Sequence, residues 1–330
     1  MMERRSWLKA FGVALSEHFL VSAQPQAQDA IQPRTFQLLD GSPVAGMRTP
    51  ARLQDLYIFE GNVYYLAGRG ATDVFEVGCV SPDGTALWRC GLPLGMYSSV
   101  GVTDSGDVAV KRLNGLHGTP ANGIYTVVTS TDPATLSWIG AAGAGYERFI
   151  DGRRLAGVSP DRQTLEIRSI DGIRNDEQPS VLPLPSPPKG THEVLGLADG
   201  TVVVLDSIYG QISELAPGAT AVQLHEPANA AVQDSLSRID RRGHPRARPF
   251  ATVYAAAGVT GPRQISLLLA PFARATRTAT LLQCDPAFGA PRTLSLSLAS
   301  VRLAVPERVA QIGGRVGISY FNGYVDAYQV

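Results

Sequence analysis

The chain is short of cysteine, with three residues in 330. An odd and small number of thiols excludes a disulfide-stapled fold, and no Cys-x-x-Cys pair is present for zinc or redox work. Net charge is also missing. Twenty-nine Lys plus Arg balance 29 Asp plus Glu, so no global field favours nucleic acid or an anionic membrane surface. Charged residues make up only 18%, below the ~25% of an ordinary globular chain. No apolar run reaches the ~18 residues that a membrane-crossing helix needs. The familiar catalytic signatures are absent. There is no Gly-x-Ser-x-Gly elbow and no phosphate-binding P-loop. Gly143-Ala144-Gly145 lacks the third glycine of a dinucleotide loop. His192-Glu193 opens like a zinc-protease motif, but Gly196 stands where the second histidine is needed. The other histidines, His18, His117, His225 and His244, are scattered along the chain.

What is abundant is turns. Glycine (34) and proline (23) are plentiful, and short apolar runs are split repeatedly by Asp-Gly or Ser-Pro-Asp turns. The clearest pair is Val80-Ser81-Pro82-Asp83-Gly84 and Val158-Ser159-Pro160-Asp161. Related turns stand at Asp104-Ser105-Gly106, Asp199-Gly200, Gly313-Gly314 and Asn322-Gly323. Recurrence at this scale points to a repeat architecture. Residues 56–59, 63–67, 74–80 and 85–90 read as four strands, the content of one propeller blade. Further units follow at 98–139, 148–184, 193–225 and 250–298. The fourth contains Thr201-Val202-Val203-Val204-Leu205, a strand buried on both faces. The sixth, 308–330, holds only three strands. The missing fourth is supplied from the other end of the chain by Arg34–Leu39, which removes an exposed edge. The expected fold is therefore all-β, a six-bladed propeller closed by an N-terminal strand, with seven blades as the alternative count.

Three further expectations follow from local sequence. Cys79 and Cys90 flank a hairpin turn, but a turn centred between residues 82 and 83 sets Cys79 opposite Ala86 and Cys90 opposite Phe75. That offset is too long for a disulfide, so both are expected as buried free thiols, like Cys284. Val232, Leu236 and Ile239 are spaced for an amphipathic helix over 229–242. A basic loop follows, and together they form an insertion at about 229–249. The Pro-rich stretch 176–190 reads as an extended connector between blades.

The N-terminus, Arg4-Arg5-Ser6-Trp7-Leu8-Lys9 followed by Ala10–Leu15, resembles a twin-arginine export signal. Val21-Ser22-Ala23 supplies a small-residue cleavage site. The resemblance implies a signal at 1–23, a flexible mature N-terminus at 24–33 and a propeller at 34–330, exported to the periplasm or beyond.

The Val-Ser-Pro-Asp-Gly hairpins resemble those of TolB-like propellers, and the six-unit count with terminal closure resembles the NHL and gluconolactonase types. The gluconolactonase resemblance implies a central channel that holds calcium or another divalent metal, and a metal-dependent hydrolase of the lactonase type. Glu60, Asp104, Asp151, Asp199 and Asn322 are the oxygen donors beside turns that could serve such an ion. Asp and Asn also favour turns for local hydrogen bonding alone. The one departure from background composition is the basic segment Arg238, Arg241, Arg242, His244, Arg246 and Arg248. It could bind an acidic partner bidentately, or be a solvated surface. The leading functional reading is a monomeric binding or scaffold module. It would take a protein, peptide or glycan at one propeller face, with no cofactor and no nucleic acid.

Overall fold

The computed structural model describes residues 30–39, 52–68, 74–113, 122–131, 133–143, 147–189, 192–226, 254–269, 278–298 and 306–330. The first strand, β1 (Pro33–Gln37), is set apart from its neighbours in sequence. Blade 1 is β2 (Arg52–Phe59), β3 (Asn62–Gly68), β4 (Phe75–Val80) and β5 (Ala86–Gly91). Blade 2 is β6 (Tyr97–Val102), β7 (Val108–Arg112), β8 (Gly123–Val128) and β9 (Thr135–Ala141). Blade 3 is β10 (Arg148–Phe149), β11 (Arg154–Val158), β12 (Thr164–Ser169) and β13 (Ser180–Pro183), with the one-turn helix α1 (Ile170–Arg174) before its last strand. Blade 4 is β14 (His192–Gly196), β15 (Val202–Asp206), β16 (Ile212–Leu215) and β17 (Gln223–His225). Blade 5 is β18 (Tyr254–Gly261), β19 (Gln264–Leu269), β20 (Thr278–Cys284) and β21 (Arg292–Ser297). Blade 6 is β22 (Pro306–Ile312), β23 (Arg315–Tyr320) and β24 (Tyr324–Tyr328).

Every sheet is a four-stranded antiparallel meander, and the protein is an all-β six-bladed propeller. β1 is the fourth strand of blade 6: Pro33 lies opposite Tyr328 and Gln37 opposite Tyr324. Thr35 donates to the buried Asp326 carboxylate at 2.5 Å, and Tyr320 donates to its other oxygen at 3.1 Å. The first strand of each blade is innermost and touches its counterparts around the ring. All six innermost strands run in one sense. They begin at what we term the upper mouth and turn back at the lower mouth.

The cores lie between blades. Leu195, Val203 and Leu205 of blade 4 pack on Leu267 and Leu282 of blade 5. Val63 and Val80 of blade 1 meet Ile312 and Val325 of blade 6. The Val202–Asp206 strand is buried at every position. Sheets this close need glycine on inner strands. A Cβ on Gly258 would sit 1.4 Å from the Val309 carbonyl oxygen, and one on Gly196 would sit 2.4 Å from that of Ile150. Blades 2 and 3 are also joined by charge. The buried Lys111 ammonium meets Glu147 Oε2 at 2.9 Å, and Arg168 meets Oε1 at 3.0 Å.

Two sequence expectations need correction. Around the first hairpin, Cys79 lies opposite Trp88 and Cys90 opposite Val77, not opposite Ala86 and Phe75. The turn is longer than two residues: Ser81 N–H donates to the Thr85 carbonyl at 2.9 Å, and a bulge at Cys79/Val80 shifts the register. All three cysteines are free and buried. Second, the stretch 176–190 is not merely a connector, since it contains β13 paired along β12. Pro183 is tolerated there because an edge strand needs no N–H on its outer side. The two Ser-Pro-Asp turns share chemistry but not position. Ser81 and Ser159 each bond the Asp two residues on, and each accepts a backbone N–H at the turn's close. The first joins the third and fourth strands of blade 1, and the second joins the second and third strands of blade 3. The helix and basic loop expected over 229–249 lie outside the described residues.

Candidate functional site at the channel mouth

The innermost strands surround a central channel of about 490 Å³. Its walls are mostly apolar, including Leu56, Ile150, Leu195, Val259 and Val309. The character changes at the upper mouth, where the innermost strands begin. Four blades place charged groups there: Asp55 on β2, Arg148 on β10, Glu193 on β14, and Glu307 with Arg308 on β22.

These groups form a linked circuit. Arg308 meets Asp55 Oδ1 at 2.8 Å. The other Asp55 oxygen accepts the Ser99 hydroxyl at 2.7 Å and the Val100 N–H at 3.0 Å. Ser99 Oγ in turn lies 3.4 Å from the Phe149 N–H. Arg148 is bound tightly to Glu193, and Glu193 Oε2 lies 3.7 Å from Arg308. Blades 6, 1, 2, 3 and 4 are thus joined in turn, and Tyr254 opens the innermost strand of blade 5. Tyr254 is 3% exposed, and its hydroxyl has no hydrogen-bond partner among the described residues.

Burial sets the electrostatics. It raises the Asp55 carboxyl against the opposing pull of Arg148 and of the Ser99 and Val100 donors. It also works against the charge on Arg148, but Glu193 and Asp55 overcome it and hold the guanidinium protonated. Glu307 is pushed up to about 7, first by burial and then by the negative charge of Glu193, with Arg148 pulling the other way. Burial, then Glu193 and Asp206, raise the Tyr254 phenol well above its usual range. The rim of the same mouth exposes large apolar groups: Leu94 and Met96 between β5 and β6, and Tyr209 between β15 and β16.

Of the oxygen donors suggested by sequence, Asp151 lines the channel, and Glu60, Asp104, Asp199 and Asn322 do not. Glu60, Asp104, Asp151 and Asp199 occupy the lower mouth, each in the turn between the first two strands of its blade. Asn322 lies between β23 and β24, at the upper mouth. The aspartates are engaged with arginines. Asp104 binds Arg153 of blade 3, Asp151 receives Arg154 at 2.8 Å, and Asp199 receives Arg263 of blade 5 at 2.8 Å. Among the described residues no three His, Cys, Asp or Glu side chains are grouped to hold a metal ion. The basic residues Arg238, Arg241, Arg242, His244, Arg246 and Arg248 lie outside the described residues.

The mouth residues were not singled out from sequence, although a signal exists. In units one, three, four and six a charged residue stands at or near the start of the innermost apolar strand: Asp55 before Leu56, Arg148 before Phe149, Glu193 before Val194, Arg308 before Val309.

Fold and site together define a six-bladed propeller whose innermost strands carry a linked ring of charged side chains. No protein-family model matches the chain, and no curated protein matches it. Solved propellers do resemble it in shape. YCF48 bound to D1 peptide superposes with a TM-score of 0.51 at 10% identity, covering 92% of this chain and 93% of that one. Catalytically inactive virginiamycin B lyase from Staphylococcus aureus, with quinupristin, superposes with a TM-score of 0.50 at 12% identity, covering 88% and 83%. At such identities the likeness is one of fold. No helix among the described residues is long and apolar enough to cross a membrane.

Proposed function

We propose that the protein is an exported, monomeric binding module that seats a protein, peptide or glycan ligand at one face of the propeller, over its central channel. One observation carries the reading: the innermost strands enclose a 490 Å³ apolar-walled channel into which Asp55, Arg148 and Arg308 bring charged side chains. Such a site joins a few convergent polar groups to an apolar cavity, the usual character of a small-ligand or side-chain pocket. Exposed Leu94, Met96 and Tyr209 add apolar contact area around it. The fold likeness to a propeller solved with a bound peptide supports the reading. The basic segment 238–248 enters the chain shortly before Tyr254, and acidic groups on a partner would be its complement.

The test is binding to a random-sequence octapeptide array with the mature protein and with Ala310→Trp. Ala310 is half-buried, lines the channel and packs against the core between blades 6 and 1, so the indole narrows the channel and the variant's fold is checked by circular dichroism and thermal unfolding. Peptide binding that disappears in the variant supports the channel. Binding that survives the plug overturns the assignment.

A further inference from the structure

Four charged side chains line the channel: Asp55, Arg148, Asp151 and Arg308. Each has its charge compensated. Arg148 is bound to Glu193, Asp151 to Arg154, and Arg308 stands 2.8 Å from Asp55. Hydrogen bonding is less complete. Arg308 Nη2 is buried and has no hydrogen-bond partner among the described residues, although Asp55 Oδ1 is near. That contact balances charge but is not aligned as a hydrogen bond. Arg308 Nη1 reaches Glu193 Oε2 only at 3.7 Å, too far for a hydrogen bond. The Arg308 side chain is 11% exposed, so water does little to make up the deficit. The channel wall therefore holds a charged donor that lacks an acceptor, beside the apolar groups of Ile150, Leu195, Val259 and Val309.

A buried donor left unmatched is unfavourable, and a bond from a guanidinium is stronger than one between neutral groups. We propose that Arg308 and Asp55 together seat an uncharged amide group of a bound peptide, with the adjoining apolar side chain inside the channel. The amide carbonyl accepts from Arg308 Nη2. Asp55 Oδ1, which takes no aligned bond from Arg308, accepts the amide N–H. An amide thus completes both members of the misaligned pair and adds no charge. A carboxylate also satisfies Nη2, but it sets a further negative charge beside Asp55 and Glu193, and Glu307 lies in the field of both. An ammonium offers Nη2 no acceptor and stands against two guanidiniums. A sugar brings hydroxyls that apolar walls leave unpaired. The inference rests on the channel being the ligand site, and names the group that the site takes.

The probes are three leucine derivatives that share one side chain and differ in charge: N-acetyl-leucinamide (neutral), N-acetyl-leucine (anionic) and leucinamide (cationic). Each is titrated to about 20 mM, the range suited to ligands of this size, with binding read by saturation-transfer NMR. N-acetyl-leucinamide should bind about tenfold or more tightly than either charged probe. Two variants test the anchor. Asp55→Asn combined with Arg308→Leu removes the pair without leaving a buried charge alone. Arg308→Lys keeps the charge beside Asp55 and loses the Nη2 donor. Both should weaken N-acetyl-leucinamide by about tenfold, with circular dichroism and thermal unfolding showing a folded protein. Wild-type affinity in either folded variant overturns the anchor, and so does failure of N-acetyl-leucinamide to bind. Tighter binding of N-acetyl-leucine, or of N-acetylglucosamine, overturns the peptide-amide assignment and leaves the channel as the site. The channel reading itself falls only if peptide binding survives Ala310→Trp, so the two fail separately.

Discussion

Replacing Glu307 by Gln should stabilise the protein at pH 8 and leave it nearly unchanged at pH 5. The carboxyl has an ordinary value near 4.5 and is pushed up to about 7 in the fold. Between those values the folded state binds more protons than the unfolded state, so stability falls as pH rises through that window. The full shift, about 2.5 units, corresponds to roughly 3.4 kcal/mol at ~1.36 kcal/mol per unit. Glu307 is only half-buried, and solvent screening reduces the figure to about 2 kcal/mol. At pH 5 the group is still protonated in the fold, and the variant, a neutral isostere, should match the wild type. At pH 8 the wild type carries a buried charge and the variant does not. The assay is urea unfolding of both proteins at the two pH values. With a slope of about 3 kcal/mol/M, the variant's midpoint should exceed the wild type's by about 0.7 M at pH 8. Asp55 and every other titrating group are common to both proteins, so the difference isolates Glu307. Parallel midpoints at pH 5 and pH 8 would refute the reasoning, since they require Glu307 to be solvated or paired.

Two other perturbations test how the ring is held. Glu147→Ala removes the carboxylate from buried Lys111 and from Arg168, and thermal or urea unfolding should show a loss of about 3–5 kcal/mol; a loss below 1 kcal/mol contradicts the role assigned to this junction. Deleting residues 33–37 strips β1 from blade 6 and bares the edge of β24. Size-exclusion chromatography should then show self-association of the kind expected at an unpaired strand edge, and a protein that remains monomeric with unchanged stability argues against a structural need for the strand.

Much of the architecture was legible because hairpins announce themselves. The alternation of Leu294–Leu298, the buried run Val202–Leu205 and the Asn322-Gly323 turn each mark a local structure that needs no distant partner to be recognised. The three-strand last unit pointed to the strand near the N-terminus for the same reason. The two Ser-Pro-Asp hairpins show where that logic ends. Their side chains build the same turn, but the turns fall at different places in their blades, so turn chemistry reports a reversal of the chain and not a position in a repeat. The site was less legible. Asp104, Asp151 and Asp199 stand beside inner turns, as read from sequence, but their arginine partners are brought to them by tertiary structure. Asp55, Arg148, Glu193 and Glu307 look like ordinary strand-flanking charges until the ring sets them round one opening. The feature that distinguishes them is convergence across more than 250 positions of chain, which no local pattern encodes.

The clasp of β1 on β24 also has a consequence in time. Thr35 and Asp326 are 291 positions apart, so the contact that completes blade 6 joins one of the earliest described segments to one of the last. During synthesis from the N-terminal end, five blades can form while β1 waits without its partner. Loop closure over so long a span is slow relative to local hairpin formation, and until it happens the ring has a seam. A chain interrupted anywhere before residue 324 never gains the strand that β1 needs. The clasp therefore acts as a check on completeness, and interrupted products would carry a free edge by which quality-control proteases and chaperones could distinguish them from the finished protein.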